Sequence, residues 1–294
     1  MGLPTWIIVV ISLIASSQAR ASGMVLHMWM ADQALDYIED LELKELLSHE
    51  RNAYLYGSIF PDTGYAINHP YGEIAHWDTF MNAYHGVVRE DCLNLVTSSC
   101  RSLYAHFLGS VSHSLADINF DGTFIPKAAQ VDYGGDIDRA QRWIDIGLDM
   151  VALMAHGRGL VQPQWNLPAQ MLAKVFGRLP EANVSANDLR RGARRHRLGM
   201  AGEPIAAAVT YHHYKSHVRW ASQNMIESPG GVKDTARKIA QVWEILWKAR
   251  RDGRGDEKPF ATPGRWPYKE LWVYGQQVLN PQRTYAPNRS RHKF

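Results

Sequence analysis

Residues 106–121 read HFLGSVSHSLADINFD, and this stretch predicts a buried helix in the middle of the chain. Its apolar residues, with one just before it, recur at the three- and four-residue spacing that places side chains on one helix face. They are Leu103, Phe107, Leu108, Val111 and Leu115. A helix this apolar packs in a core, so the polar side chains that it carries need partners there.

His113 and Asp117 are two such polar residues, and they lie four positions apart. On a helix, that spacing puts both side chains on the same face, one turn from each other. Asp121 extends the stripe by another turn if the helix continues. An imidazole and a carboxylate on one face suit a zinc ion. A buried network of ion pairs is the other interpretation, and the spacing alone does not choose between them.

Helical spacing also predicts most of the remaining chain. We expect helices over residues 27–47, 77–88, 103–116, 138–155, 168–176, 203–226 and 232–251. The first should break near Leu41, and Pro204 suits the first turn of the 203–226 helix, where a backbone N–H is not needed. Residues 51–73 contain three glycines and two prolines, which predicts a long structured loop.

The chain shows no alternating apolar pattern of strands and no internal repeat. We therefore predict an all-α fold with a single multi-helix domain. The domain should span residues 22–252, and residues 253–294, which contain prolines and glycines, should form an extension packed on it.

Composition excludes several classes of protein. The 294 residues are 46% hydrophobic and 21% charged, which is ordinary for a globular chain and excludes a disordered or collagen-like one. Lys and Arg number 32 and Asp and Glu number 29, a net charge of +3. So small an excess argues against a nucleic-acid binder that depends on bulk charge.

The N-terminus has the pattern of a secretory signal. Residues 6–15 read WIIVVISLIA, too short a run to span a membrane, and small residues follow up to Ala21. We predict cleavage after Ala21 and a secreted protein; an uncleaved N-terminal anchor is the alternative.

Secretion changes the interpretation of two further features. Cys92 and Cys100 are expected to form a disulfide in an oxidising compartment, with two buried free thiols as the alternative. Asn183 and Asn288 each begin an Asn-x-Ser sequon and are candidate glycosylation sites.

Three segments carry a resemblance to a known family. They are YGSIFPDTGY (56–65), EIAHWDTFMNAY (73–84) and HFLGSVSHSLADINFD (106–121), followed by DYGGD (132–136). In this order they resemble the zinc-dependent phospholipase C family, and within it the catalytic domain of the glycosylphosphatidylinositol-specific phospholipases D. The resemblance covers roughly residues 22–140. It implies the helical fold of zinc-dependent phospholipases C and the related zinc nucleases.

The resemblance also implies a set of zinc ligands. The first zinc would be held by Asp62, His76, His113 and Asp117, and a second by His27 with Asp117 as the bridge. The matching positions imply a hydrolytic reaction in which metal-activated water attacks a phosphodiester. Asp62 would orient or deprotonate that water.

A third metal position of the family is altered in this chain. Asp121 and Asp132 match two of its ligands, but the remaining one falls at Ala128, which has no ligating atom. This third site is therefore degraded, and it is expected either to be empty or to hold a harder cation such as Ca²⁺ or Mg²⁺.

The implied substrate is a phospholipid or a glycosylphosphatidylinositol anchor. Peripheral contact with a membrane is expected, the chain is expected to be a monomer, and no specific nucleic acid is expected. A secreted zinc nuclease and a catalytically silent metal-binding helical protein are the alternatives. Trp29, Tyr65 and Trp77 could shape a lipid-facing rim or pack in the core.

Two other features stay open at the level of sequence. His213 and His217 lie four residues apart and could form a metal pair, although no further ligand accompanies them. Five arginines and His196 cluster between residues 190 and 197. A solvated loop is the leading interpretation of this cluster. Attraction to anionic lipid headgroups and a proteolytic processing site are the alternatives.

Overall fold

The computed structural model describes residues 23–92, 95–157, 163, 167–180, 182–253 and 260. Within these residues the secondary structure is helical and contains no strand. The prediction of an all-α, single-domain fold is therefore confirmed.

The helices follow one another through short connections. They are α1 Met24–Ala34, α2 Leu41–His49, α3 Arg51–Gly57, α4 Tyr71–Ile74, α5 Asp78–Asp91, α6 Ser98–Asn119, α7 Ile125–Asp132, α8 Ile137–Ala155, α9 Ala169–Phe176, α10 Ala186–His217, α11 Arg219–Asn224 and α12 Val232–Arg251. Short 3₁₀ helices span Leu35–Tyr37 and Pro61–Ile67. A π-helical turn, Phe120–Phe124, joins α6 to α7.

Helix α6 lies at the centre of the fold, as its apolar sequence predicts. Residues 103–113 are all buried, and α3, α5, α12 and α1 pack around this helix. Trp243 of α12 is fully buried, and its indole N–H donates to the Leu108 carbonyl at 2.7 Å. This bond fixes α12 against the middle of α6.

Two glycines let α3 cross α6 in backbone contact. A Cβ atom at Gly109 would lie 2.1 Å from the Tyr54 carbonyl oxygen, and one at Gly57 would lie 2.2 Å from the His106 carbonyl oxygen. No side chain fits at either position without moving a helix. The close crossing places the segment that follows α3 directly over the His113 turn of α6.

Side chains at the N-caps define several helix starts. Asp40, Thr97, Asp136 and Ser185 each accept a hydrogen bond from a backbone N–H in the first turn of α2, α6, α8 and α10. Ser185 and Asp188 form a reciprocal capping box. These caps satisfy donors that the helix itself leaves unpaired.

Two parts of the predicted pattern are wrong. Residues 51–73 are not a loop: they form α3, the 3₁₀ helix Pro61–Ile67 and the start of α4, with Pro61 at a first-turn position that tolerates it. The helix expected over 203–226 starts at Ala186, so Pro204 lies inside α10 and the arginine cluster lies on a helix. Burial of one face of α10 outweighs the low helix propensity of its glycines and proline.

Several further predictions can be compared with the structure. Cys92 and Cys100 form a disulfide, as expected, with their Cα atoms 5.2 Å apart. Asn183 is exposed, whereas Asn288, the signal segment 1–21 and nearly all of the C-terminal extension lie outside the described residues. Among the residues that are described, no helix is both long and apolar enough to cross a membrane.

Candidate metal centre

The predicted zinc ligands converge on one site from four parts of the fold. His27 comes from α1, Asp62 from the 3₁₀ helix, His76 from the turn between α4 and α5, and His113 and Asp117 from α6. His27, His113 and Asp62 are at most 2% exposed. The donor atoms of His27, Asp62 and His113 all lie within 4.8 Å of one another, as do those of His76, His113 and Asp117.

The distances describe a tight cluster around His113. Its Nε2 atom lies 2.9 Å from Nε2 of His76, 3.4 Å from Oδ2 of Asp117 and 3.9 Å from Oδ1 of Asp62. Nε2 of His76 lies 3.4 Å from Asp62 and 3.6 Å from Asp117. Nε2 of His27 lies 3.2 Å from the other oxygen of Asp117, so this carboxylate faces all three imidazoles.

Backbone carbonyls orient two of the imidazoles. Nδ1 of His76 lies 2.6 Å from the Gly72 carbonyl, and Nδ1 of His113 lies 2.8 Å from the Ser58 carbonyl. A carbonyl oxygen only accepts, so each Nδ1 must carry a proton and donate it. The Nε2 atom of each neutral ring is then a free lone pair that points into the cluster. Metal-binding histidines are held in this way by their other nitrogen.

These donors fit zinc better than they fit one another. The Nε2 atoms of His76 and His113 face each other at 2.9 Å, so a proton or a metal ion must lie between them. Both oxygens of Asp62, both nitrogens of His27 and Oδ1 of Asp117 are buried without a hydrogen-bond partner. Imidazole nitrogens and carboxylate oxygens are the ligands that zinc takes in catalytic sites.

The charges in the cluster favour ionised carboxylates. Burial raises the pKa of Asp62, but the nearby His113 and His76 outweigh it and hold that pKa well below its ordinary value. The pKa of Asp117 is likewise lowered, because its histidine neighbours outweigh burial. Burial lowers the pKa of His76, but its contacts with Asp62 and Asp117 reverse the effect and raise it to about 9. Without a metal ion, a proton on His76 offsets part of the negative charge of the two carboxylates, and a metal ion bound by the same atoms would take the place of that proton.

The residues matched to the third metal position are separated in the structure. Asp121 lies one turn beyond Asp117, its Oδ1 is buried without a hydrogen-bond partner, and its Oδ2 accepts from Gln141 at 3.1 Å. Asp132 instead accepts from the backbone N–H groups of Trp220 and Ala221, at the start of α11. Ala128 is buried and contributes no ligand. Asp132 thus binds a helix terminus and does not reach the cluster.

Two acidic residues near the site were missed from the sequence. Asp145 and Asp149 lie one turn apart on α8 and are 5% and 2% exposed. Asp149 accepts from the N–H groups of Val25 and Leu26 at 3.0 Å, which fixes the start of α1 just before His27. Oδ1 of Asp145 has no hydrogen-bond partner, and burial together with Asp121 raises its pKa well above the ordinary value.

Helix α10 adds two more buried polar groups. His196 and Glu203 lie two turns apart and are 7% and 9% exposed, and one side-chain atom of each has no hydrogen-bond partner. Asp62 is a charged neighbour of His196, and Asp149 is one of Glu203. Their seven-residue spacing, which places both side chains on one helix face, was the only sequence signal. It could not be used, because the sequence did not predict a helix over residues 186–202.

The remaining candidates have structural roles. Trp29 is 6% exposed and belongs to the core. Tyr65 and Trp77 are half-buried and donate to the two oxygens of Glu73, beside His76. The His217 ring stacks on Trp143 with centroids 3.9 Å apart, and no metal-ligand group among the described residues includes His213 or His217.

A comparison with protein families agrees with this geometry. A model of zinc-dependent phospholipase C matches residues 26–194, more than half of the chain and the whole ligand set. The chain belongs to the zinc-dependent phospholipase C family. Membership confirms the family, the helical fold and the class of zinc-dependent phosphodiesterase hydrolase that the sequence predicted.

The proteins that match this chain in sequence share one name. The chain is 24% identical over 257 residues to the phosphatidylinositol-glycan-specific phospholipase D of Rattus norvegicus, covering 82% of this chain and 30% of that protein. The Mus musculus protein of that name is 24% identical over 253 residues, and the Homo sapiens protein 23% over 251 residues. The chain spans about 30% of the length of these relatives. No solved structure matches it significantly.

Proposed function

We propose that the chain is a secreted zinc phosphodiesterase that hydrolyses a phosphodiester bond of a phospholipid or of a glycosylphosphatidylinositol. The convergence of the Nε2 atoms of His76 and His113, 2.9 Å apart, with the carboxylates of Asp62 and Asp117 carries this proposal. The names of the relatives support the choice of lipid substrate.

Five residues are proposed to hold two zinc ions. Asp62, His76, His113 and Asp117 would hold the first, and His27 would hold the second, with Asp117 shared between them. The position of Asp117, with one oxygen 3.2 Å from His27 and the other 3.4 Å from His113, supports this bridging role.

The protein's own groups have distinct tasks in hydrolysis. When bound, zinc supplies positive charge for the phosphoryl oxygens and makes water nucleophilic near neutral pH. Asp62 is proposed to orient the attacking water and to accept its proton at a carboxylate oxygen. Both of its oxygens are buried without a hydrogen-bond partner, so one could bind the first zinc while the other faces the water. The carbonyls of Gly72 and Ser58 keep two imidazoles in the required tautomer.

Asp121 is proposed to hold a further, harder cation such as Ca²⁺ or Mg²⁺. Asp145 supports this proposal as the second carboxylate: it lies between Gln141, which contacts Asp121, and Asp149, one turn from each on α8. Oxygen-rich sites of this kind favour hard cations over zinc. Asp132, matched to this position by resemblance, is the weaker candidate because its carboxylate binds the start of α11.

Export and domain organisation are part of the same proposal. The signal segment 1–21 would be removed, leaving the helical domain 22–252 and the extension 253–294. The Cys92–Cys100 disulfide supports an oxidising destination, where Asn183, which is exposed, and Asn288 would carry glycans. We propose a monomer in solution.

Metal analysis and hydrolysis together test the function. The purified protein should contain zinc, lose activity with a chelator and regain it with zinc, and release a phosphorylated product from a phospholipid or a glycosylphosphatidylinositol. His76→Gln should lose zinc and activity, whereas His49→Gln, at an exposed histidine outside the cluster, should keep both.

Two results would overturn the proposed function. Cleavage of single-stranded nucleic acid with no cleavage of any phospholipid would make the chain a nuclease. Stoichiometric zinc with no hydrolysis of either substrate would make it a silent metal-binding protein.

A further inference from the structure

An exposed apolar stripe runs along the middle of α10. Leu198, Ile205 and Val209 are 68%, 54% and 56% exposed, and their spacing of seven and four residues places them on one line. Three of the seven exposed large hydrophobic residues in the described part of the chain lie here. Contiguous exposed apolar surface of this kind marks an interaction site more often than isolated residues do.

Cations flank the N-terminal end of the stripe. Arg190, Arg191, Arg194, Arg195 and Arg197 are all exposed on the first turns of α10. Arg191 pairs with Asp188 at 3.0 Å, whereas Arg194 and Arg195 have no acidic partner among the described residues.

The C-terminal end of the stripe is also cationic. An open surface pocket there is lined by His212, Lys215, Ser216, Arg219, Ser222 and Gln223. From Leu189 to His217 the only acidic residue is Glu203, which is 9% exposed and faces the interior. We call the exposed side of α10, from Arg190 to Ser216, the outer face of α10.

We infer that the outer face of α10 is the surface by which the protein docks on a membrane that contains anionic lipid. The apolar middle would enter the boundary between headgroups and acyl chains, while the arginines would meet anionic headgroups. Two copies of the protein would oppose like charges on this face, which disfavours a dimer. A nucleic acid would match the arginines but leave the aliphatic side chains without a partner.

The opposite side of α10 links this surface to the metal centre. A Cβ atom at Gly192 would lie 2.6 Å from the Thr63 carbonyl oxygen, so α10 packs directly on the 3₁₀ helix that carries Asp62. A membrane on the outer face would therefore lie about one helix diameter, ~10 Å, from that wall of the site. The inference rests on the proposed function only in taking lipid as the substrate.

Co-sedimentation with vesicles tests the docking surface. The zinc-loaded protein should bind vesicles of phosphatidylcholine with phosphatidylserine at least about tenfold more strongly than vesicles of phosphatidylcholine alone. Replacing Leu198, Ile205 and Val209 together by Ser should reduce binding to the mixed vesicles by about tenfold or more. Arg194→Gln with Arg195→Gln should remove most of the preference for phosphatidylserine.

Matched substitutions elsewhere on the surface serve as controls. Leu41→Ser with Val96→Ser removes side chains that are 78% and 76% exposed, and Lys127→Gln with Lys248→Gln removes two exposed cations. Both control variants should bind vesicles as the unchanged protein does. Equal losses in the control and α10 variants, or unchanged binding in the α10 variants, would overturn the inference.

A soluble phosphodiester separates this inference from the proposed function. The α10 variants should hydrolyse a short-chain phospholipid, kept below its critical micelle concentration, at the unchanged rate. If the protein hydrolyses the soluble substrate but does not bind vesicles, the proposed function stands and the docking surface is overturned. If it binds vesicles through α10 but hydrolyses no phosphodiester, the docking surface stands and the proposed function is overturned. The docking surface would also be overturned if the protein does not bind vesicles and instead uses the outer face of α10 to bind nucleic acid or to form a dimer.

Discussion

At the scale of the residue, the candidate metal centre surrounds the buried carboxylate of Asp62 with imidazole rings. Asp62 is 2% exposed, and neither of its oxygens accepts a hydrogen bond from a described residue. A buried ion that loses its partner costs about 3–5 kcal/mol, so such a carboxylate persists only beside a cation. These surroundings support the proposed role of Asp62 in binding a metal ion.

Asp117 is the residue whose loss should affect the centre most. Asp117→Asn keeps the shape of the side chain but removes its charge and one strong ligand atom. We expect the loss of at least about one zinc per chain and a drop in phosphodiester hydrolysis of roughly a thousandfold or more, because both proposed ions share this carboxylate. Metal content by mass spectrometry and the hydrolysis rate check this.

Asp36→Asn is the matched control for that substitution. Asp36 is an exposed aspartate on the Leu35–Tyr37 turn, outside both metal-ligand groups. It should keep full zinc and activity. A fully active Asp117→Asn enzyme would remove Asp117 from the site.

The sequence predicted those candidate ligands that lie in local motifs, and the structure brings their side chains together. His113 and Asp117 could be paired from helical spacing, and resemblance added His27, Asp62 and His76. Asp145 gave no local signal, because its position near Asp121 arises only when α8 packs on α7 and lies beside the π-helical turn that carries Asp121.

At the scale of the element, the crossing of α3 and α6 positions the ligands. The contact through Gly57 and Gly109 brings the Ser58 carbonyl within 2.8 Å of His113 and sets the start of the 3₁₀ helix that carries Asp62. The site therefore depends on a close approach of the two helices that only glycine at positions 57 and 109 permits.

Gly109→Ala should separate these two helices. A Cβ atom 2.1 Å from the Tyr54 carbonyl oxygen cannot be accommodated without backbone movement. We expect a loss in the free energy of unfolding of about 1–3 kcal/mol or more and weaker zinc binding, measured by urea unfolding and zinc titration.

Gly199→Ala tests whether any helical glycine would behave in this way. Gly199 lies on the exposed side of α10, and a Cβ atom there would have no other atom within 4 Å. This change should be neutral or stabilise by about 0.5–1 kcal/mol, since alanine favours helix. If Gly109→Ala were as stable as Gly199→Ala, the close crossing would be wrong.

Helix prediction failed at this scale where glycine and proline carried the sequence signal. Residues 51–73 and 186–202 both contain such residues, yet their buried faces pack against α6 and against the 3₁₀ helix. Tertiary burial outweighed local propensity in each case, whereas α12, free of both residue types, was predicted with its bounds unchanged.

At the scale of the whole molecule, buried ionisable groups should link stability to pH. Burial and neighbouring acids raise the pKa of Asp121 to about 8, and burial raises that of Asp149 to about 7. The pKa of His76 is raised to about 9, and those of His106 and His113 are lowered by burial to about 3. The folded metal-free protein thus holds protons that the unfolded chain releases.

The metal-free protein should lose stability between about pH 7.5 and 9. Asp121, Asp149 and His76 bind more protons when folded than when unfolded over this range, so the free energy of unfolding falls as pH rises. His106 and His113 oppose this decrease only weakly, because they are neutral in the folded protein and the unfolded chain has lost most of its histidine protons by about pH 7.5. Urea unfolding should show a decrease on the order of 1–3 kcal/mol.

Two controls identify the source of this pH dependence. Burial raises the pKa of Glu203 well above its ordinary value, so Glu203→Gln should make the decrease smaller. Saturating zinc should abolish it, because metal binding favours the deprotonated ligands. Stability that rises with pH in the metal-free protein would contradict the assigned shifts.

The most direct test of the central claim is an anomalous difference map, collected at the zinc absorption edge from crystals grown with zinc. We predict a peak about 2.0–2.2 Å from Nε2 of His76, Nε2 of His113 and an oxygen of both Asp62 and Asp117. A second peak should lie between His27 and Asp117. No anomalous peak among these five residues, with zinc bound elsewhere on the protein, would contradict the account.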